Sequence, residues 1–185
     1  MEKNEITIFL QALQLLDDKL EEIQYSKIQI RAIGGFAMLY LGLKEHGYTI
    51  DIDSLTPNFD QAVVNVIHEV GIELKIDQDW LNTDCATLDG FLTELEPHIC
   101  WQKSQFTFRH IELFIADNYG LIRSKAKAIH EGGLVPRKTD KKDLLLLLKM
   151  NNINNLKELD QLELLKFIDE SYNRCYQYLK ELNEW

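Results

Sequence analysis

Apolar residues recur at helical spacing over residues 5–24, where Ile8, Leu13, Leu16, Leu20 and Ile23 form one stripe. That spacing predicts an amphipathic helix. The period then changes. Ile28, Ile30 and Ile33 dominate residues 27–33 and predict a strand. Gly34-Gly35 follows at once, and the apolar run from Phe36 to Leu43 predicts a helix. Residues 48–55 predict a second strand, with Ile50 and Ile52 toward the core and Asp51 and Asp53 on the other face. Pro57-Asn58 breaks that strand. Residues 59–70 return to helical spacing, with Asn58 as a candidate N-cap and Gly71 as a stop. Residues 72–76 predict a further strand.

The middle of the chain is less regular. Residues 77–97 contain Trp80 and a short helix near Phe91. Residues 98–116 read as hairpin material in three extended pieces, HICWQ, FTF and HIELFIA. Residues 118–130 are helical. Gly132, Gly133 and Pro136 mark a loop, and residues 140–150 are helical again. Residues 159–182 predict one long amphipathic helix carrying Leu162, Leu165, Ile168, Tyr172 and Leu179. Together these elements predict an α+β chain. Residues 1–117 form a mixed sheet flanked by helices, and residues 118–185 a C-terminal helical subdomain.

Composition narrows the class. Hydrophobic residues make up 45% of the 185, enough for a real core. Acids from the second residue onward leave no secretory signal pattern, and the leucines 144–148 are too few to span a bilayer. The widely spaced Cys85, Cys100 and Cys175 suggest buried thiols in a reducing cytoplasm. A net charge of −10 argues against a general DNA-coating protein. The charge is uneven, however. Residues 123–142 hold seven Lys/Arg against only Glu131 and Asp140, a local excess suited to a phosphate-bearing ligand or to a solvated helix face.

The candidate chemistry lies between residues 34 and 53. A glycine pair at a strand-to-helix turn lets backbone N–H groups approach a ligand, at the positive end of the following helix. Asp51 and Asp53 share one strand face, about 6–7 Å apart. Two such carboxylates repel unless a cation lies between them, and hard oxygens suit magnesium. A glycine turn, one helix and a carboxylate pair in succession place a phosphate cradle beside a metal site.

This succession resembles the nucleotidyltransferase superfamily. It is most similar to bacterial nucleotidyltransferase-like proteins related to AbiEii-type toxins. The residues that carry the likeness are Gly34, Gly35, Ala37, Gly42, Thr49, Asp51, Ile52 and Asp53, then Leu121-Ile122-Arg123-Ser124-Lys125, Arg137-Lys138, Asp140 and Asp143. It covers roughly residues 28 to 150. One departure is Gly47, where the related pattern has Arg; Lys44 and His46 are the candidates to supply that charge.

The resemblance implies transfer of a nucleoside monophosphate from a nucleoside triphosphate to an acceptor, which is RNA, a protein or a small molecule. Asp51 and Asp53 would hold Mg2+, and Gly34, Gly35 and Lys125 would bind the nucleotide. Glu112 would be the third catalytic carboxylate, with Asp117 as fallback. Asp140 and Asp143 are expected to pair with Lys or Arg. A place in a toxin–antitoxin or phage-defence pair and an antitoxin protein partner follow from the same likeness; the cytoplasmic setting away from membranes is the reading of the thiols, the N-terminus and the short leucine run. The alternative is a nucleotidyltransferase-fold module that binds a nucleotide or a protein without catalysis.

Overall fold

The computed structural model describes residues 5–43, 49–88, 90–131, 138–166, 168 and 174–181. The chain divides into two compact units. One comprises Met1–Leu92 and Trp101–Ala116, the other Thr93–Cys100 and Asp117–Trp185.

The first unit holds α1 (Glu5–Glu22), β1 (Ile28–Ala32), α2 (Gly34–Tyr40), β2 (Ile52–Asp53), α3 (Gln61–Leu74), β3 (Leu81–Asn82), β4 (Trp101–Lys103) and β5 (Ile111–Ala116). β5 is the middle strand of three, parallel to β1 and antiparallel to β4. β2 and β3 form a parallel pair, and α3 provides the crossover that parallel strands require. An antiparallel bridge between Ala32 and Ser54 joins that pair to β1. There the Ile33 N–H donates to the Asp53 carbonyl at 3.0 Å, and the Leu55 N–H to the Arg31 carbonyl at 2.8 Å. The result is a small mixed sheet flanked by helices.

Alternation explains how β1 and β5 sit. Ile28, Ile30 and Ala32 are buried with Ile111, Leu113 and Ile115, while Gln29 and Glu112 pair on the opposite face. Phe9, Leu13, Leu16 and Leu20 of α1 are buried as well. Ile23 is exposed, because α1 ends at Glu22 and Gln24 turns the chain with φ 54°. Asp17 is buried on α1, yet its carboxylate accepts the N–H groups of Arg109 (3.0 Å) and His110 (2.6 Å). That satisfies a charge that would otherwise be costly inside.

Several expected elements differ. The second strand is only Ile52–Asp53, and Ile50 is 68% exposed rather than buried. Residues 49–51 are drawn into a local turn by the Thr49 hydroxyl, which donates to the Asp51 carbonyl at 3.0 Å. The helix after Pro57 starts later and runs longer than expected. Asp60, not Asn58, caps it, accepting the Val63 N–H at 3.0 Å. Gly71 does not stop it. The helix continues to Leu74 and ends on Lys75 at φ 56°, so residues 72–76 form no strand. Gly71 serves a close approach instead: a Cβ there would lie 2.5 Å from the Asp77 carbonyl oxygen. Of the hairpin pieces, FTF is not a strand.

The second unit carries α4 (Asn118–Glu131), α5 (Lys138–Met150), α6 (Leu156–Gln161) and α7 (Arg174–Glu181). Leu144, Leu147 and Leu148 of α5 are buried, as are Leu121, Ile122, Ala126 and Ile129 of α4. The long final helix is broken: α6 ends at Gln161, and Glu163 adopts φ 54°. Tyr172 lies outside the described residues. Cys175 is buried, Cys85 half-buried and Cys100 exposed, so burial of all three thiols does not hold. Among the described residues no helix is long and apolar enough to cross a membrane.

Candidate functional site

The site begins where β1 ends. Ile33 is extended and Gly34 takes φ 67°, a left-handed conformation that only glycine adopts without strain. A Cβ on Gly34 would lie 2.6 Å from Asp53 Oδ2. A Cβ on Gly35 would lie 2.7 Å from the Thr49 Cβ and Oγ1. The two glycines are therefore required twice over, by backbone conformation at Gly34 and by the segment resting against both. The glycine turn and the aspartate segment are in atomic contact. α2 itself has only seven residues, so any anion held here depends on the turn's N–H groups more than on a helix dipole.

Asp51 and Asp53 are half-exposed and flank Ile52, which is fully buried. Asp51 precedes the strand and is held by side chains. The Thr49 hydroxyl reaches its Oδ1 at 3.3 Å, and the Asn82 amide donates to its Oδ2 at 3.4 Å. Asp53 lies in β2, in register with Asn82 of β3. The neighbouring Cys85 thiol donates to the Ser54 carbonyl at 3.4 Å. Burial first, and the Asp53 charge second, push its pKa far up, so it stays protonated. Among the described residues no group of three or more His, Cys, Asp or Glu is arranged to hold a metal, so the aspartates stand as a pair. Two hard carboxylates beside a glycine turn fit magnesium, which takes one or two carboxylates and completes its shell with phosphate oxygens and water.

Glu112, of the same unit, is not gathered here, and Asp117 and Lys125 belong to the second unit. Glu112 stands in register with Gln29, four residues before Ile33, whose N–H meets the Asp53 carbonyl. Along a strand that is roughly 13 Å. Glu112 instead accepts from Gln29 (3.4 Å) and Lys103 (3.5 Å), which hold its pKa below the usual value. Asp117 caps α4, accepting the Gly120 N–H at 2.9 Å and the Cys100 N–H at 3.3 Å. Lys125 belongs to the helical unit, where it is buried with Asp140 at 2.8 Å and Asp143 at 3.1 Å. Burial alone would lower its pKa; the two aspartates overcome that and raise it. Asp140 and Asp143 thus pair with a lysine, as the sequence suggests. Lys44, His46 and Gly47 lie outside the described residues.

Two lysines of the basic stretch are paired with acids. Besides Lys125, the buried Lys127 pairs with Glu94 (2.8 Å) and Glu131 (2.9 Å). Arg123 donates to the His98 carbonyl, and Lys141 stacks over Tyr178. Trp80 is fully buried and donates to the Ile67 carbonyl at 2.9 Å, which makes it a packing residue. Thr49 belongs to the motif read from the sequence, whereas the place of Asn82 and Cys85 at the site is not read there. A hydroxyl two residues before Asp51 is a readable turn signal. Asn82 and Cys85 arrive through β2–β3 pairing, which leaves no mark in the local sequence.

Comparison with known proteins finds no family model that matches the chain, no curated protein that matches it and no solved structure that matches it.

Proposed function

We propose that the chain is a magnesium-dependent nucleotidyltransferase with a nucleotidyltransferase-like fold. The observation that carries this reading is the contact between the Gly34-Gly35 turn and the Thr49–Asp53 segment, within 2.7 Å of where glycine Cβ atoms would stand. It sets backbone N–H groups, able to meet phosphate oxygens, beside two carboxylates able to hold the ion that accompanies them. When bound, magnesium would supply Lewis-acid stabilisation of phosphoryl charge. The chain's own part is to position the triphosphate on the turn and to fix Asp51 through Thr49 and Asn82. An acceptor oxygen forms the new bond to the α-phosphorus. The bond to pyrophosphate breaks, and the acceptor's proton passes to a carboxylate or to water.

The acceptor is RNA, a protein or a small molecule; Lys125 and Lys127, turned onto acids, are not offered to it. Work in the cytoplasm as the toxin of a toxin–antitoxin or phage-defence pair, checked by an antitoxin protein, is the setting this reading implies. The second reading, a nucleotide- or protein-binding module without catalysis, is favoured by one fact: Glu112 lies far along β1 from Asp53.

The test is thermal stability with each nucleoside triphosphate, with and without magnesium, for wild type and the Asp51→Ala/Asp53→Ala double variant. A ligand that binds only the folded state raises the melting temperature. A magnesium-dependent rise in wild type, absent in the double variant, is expected. Transfer of label from the triphosphate that binds then separates the two readings. No rise with any triphosphate overturns both nucleotide-binding readings.

A further inference from the structure

An amide, that of Asn82, stands beside the aspartate pair. Asn82 is the register partner of Asp53 across the parallel β2–β3 ladder. The ladder is tightly tied: the Ile52 N–H donates to the Trp80 carbonyl at 2.6 Å and the Ser54 N–H to the Asn82 carbonyl at 2.9 Å. The orientation of the Asn82 side chain is fixed from below. Its Oδ1 accepts the Asp84 N–H at 3.1 Å, which assigns the oxygen to that side and the NH2 to the other. The NH2 then faces Asp51 Oδ2 at 3.4 Å, with the Asp79 carbonyl at 3.5 Å as its second acceptor. The Thr49 hydroxyl, which donates first to the Asp51 carbonyl at 3.0 Å, also lies 3.3 Å from Oδ1 and shares its one proton between the two. The Asn82 amide thus orients one carboxylate oxygen of Asp51 and leaves lone pairs for a ligand.

We propose that Asn82 is the positioning residue of this site and sets its charge. It holds Asp51 in a metal-binding orientation and, being neutral, keeps the site at two carboxylates. Two carboxylates bind magnesium weakly on their own and strongly once phosphate oxygens complete the shell. The ion therefore enters with the triphosphate rather than waiting in the empty protein. This rests on the nucleotidyltransferase reading for the triphosphate, but its metal component stands on the aspartate pair alone.

The test uses the whole chain with Asn82→Ala and the near-isosteric Asn82→Asp, which keeps the volume if the alanine variant folds poorly. Melting temperature is read in chelator, in magnesium alone, and in magnesium with a mixture of nucleoside triphosphates. Asn82→Asp is expected to melt lower than wild type in chelator, because three carboxylates repel. Magnesium alone should restore it, with an apparent affinity about tenfold above wild type. Asn82→Ala should weaken the magnesium–triphosphate response about tenfold, as loss of an orienting partner does at other metal sites. If both variants change stability equally with and without magnesium, Asn82 is only structural and the proposal fails. If magnesium alone distinguishes Asn82→Asp but no triphosphate adds to the response, the charge-setting role stands. In that case it is the nucleotidyltransferase reading that fails.

Discussion

At the scale of single residues, the Gly34–Asp53 contact is the sharpest feature. Gly34→Ala forces a side chain into a left-handed backbone, which costs about 1–2 kcal/mol, and sets a Cβ against Asp53 Oδ2. Destabilisation of about 2–3 kcal/mol is expected in urea unfolding. In an Asp53→Ala background the clash is relieved and the backbone cost remains, so the second substitution should recover part of the loss. A double-mutant cycle reads that coupling directly. This contact was legible in the sequence as a juxtaposition of motifs, because turn glycines and alternating aspartates are local signals. The partners of Asp51 were not all legible. Thr49 lies two residues away and is readable. Asn82 lies 31 residues away and reaches Asp51 only through strand pairing.

At the scale of elements, side-chain charge fixes how helices start and pack. Lys125→Met leaves Asp140 and Asp143 buried without their cation. Breaking such a pair from one side costs about 3–5 kcal/mol, and removing both acids as well should return much of it. If Lys125 were instead a nucleotide ligand, the variant would keep its stability and lose its triphosphate response. Asp117→Ala should cost about 1 kcal/mol by uncapping α4, with the response to magnesium unchanged. A lost magnesium response would restore Asp117 as a site residue. Element types were read well where periodicity was long, in α1, α4 and α5. They were misread where one residue had a tertiary role. Gly71 looks like a helix stop, yet its missing Cβ admits the backbone of Asp77 and Gln78 against the helix. Residues 159–182 keep a helical stripe, but the chain turns at Glu163, and apolar spacing alone does not register a turn between two helices on one stripe.

At the scale of the whole molecule, alkaline conditions should erode stability. Burial pushes the Cys175 thiol up to about 12, against an ordinary value of 9.0. The folded chain then keeps a proton that the unfolded chain releases, so this stability is complete below about pH 9 and falls as pH rises toward about 12. Lys125 and Lys127, also raised, extend the loss above their ordinary value of 10.5. The urea midpoint should decline across this range, and Cys175→Ala should start lower but decline less steeply between pH 9 and the lysine range.

The clip between Asp17 and the N–H groups of Arg109 and His110 joins positions 92 and 93 residues apart, and β1 waits for β5 across a similar distance. During translation, at about 5–20 residues per second, the isoleucines of β1 emerge roughly 4–17 s before the strand that covers them is made. Over that interval the isoleucines of β1 lack the strand that covers them, and Asp17 lacks its two N–H donors. A translational stall between residues 33 and 110 would therefore lengthen the time for which these isoleucines stand without their covering strand.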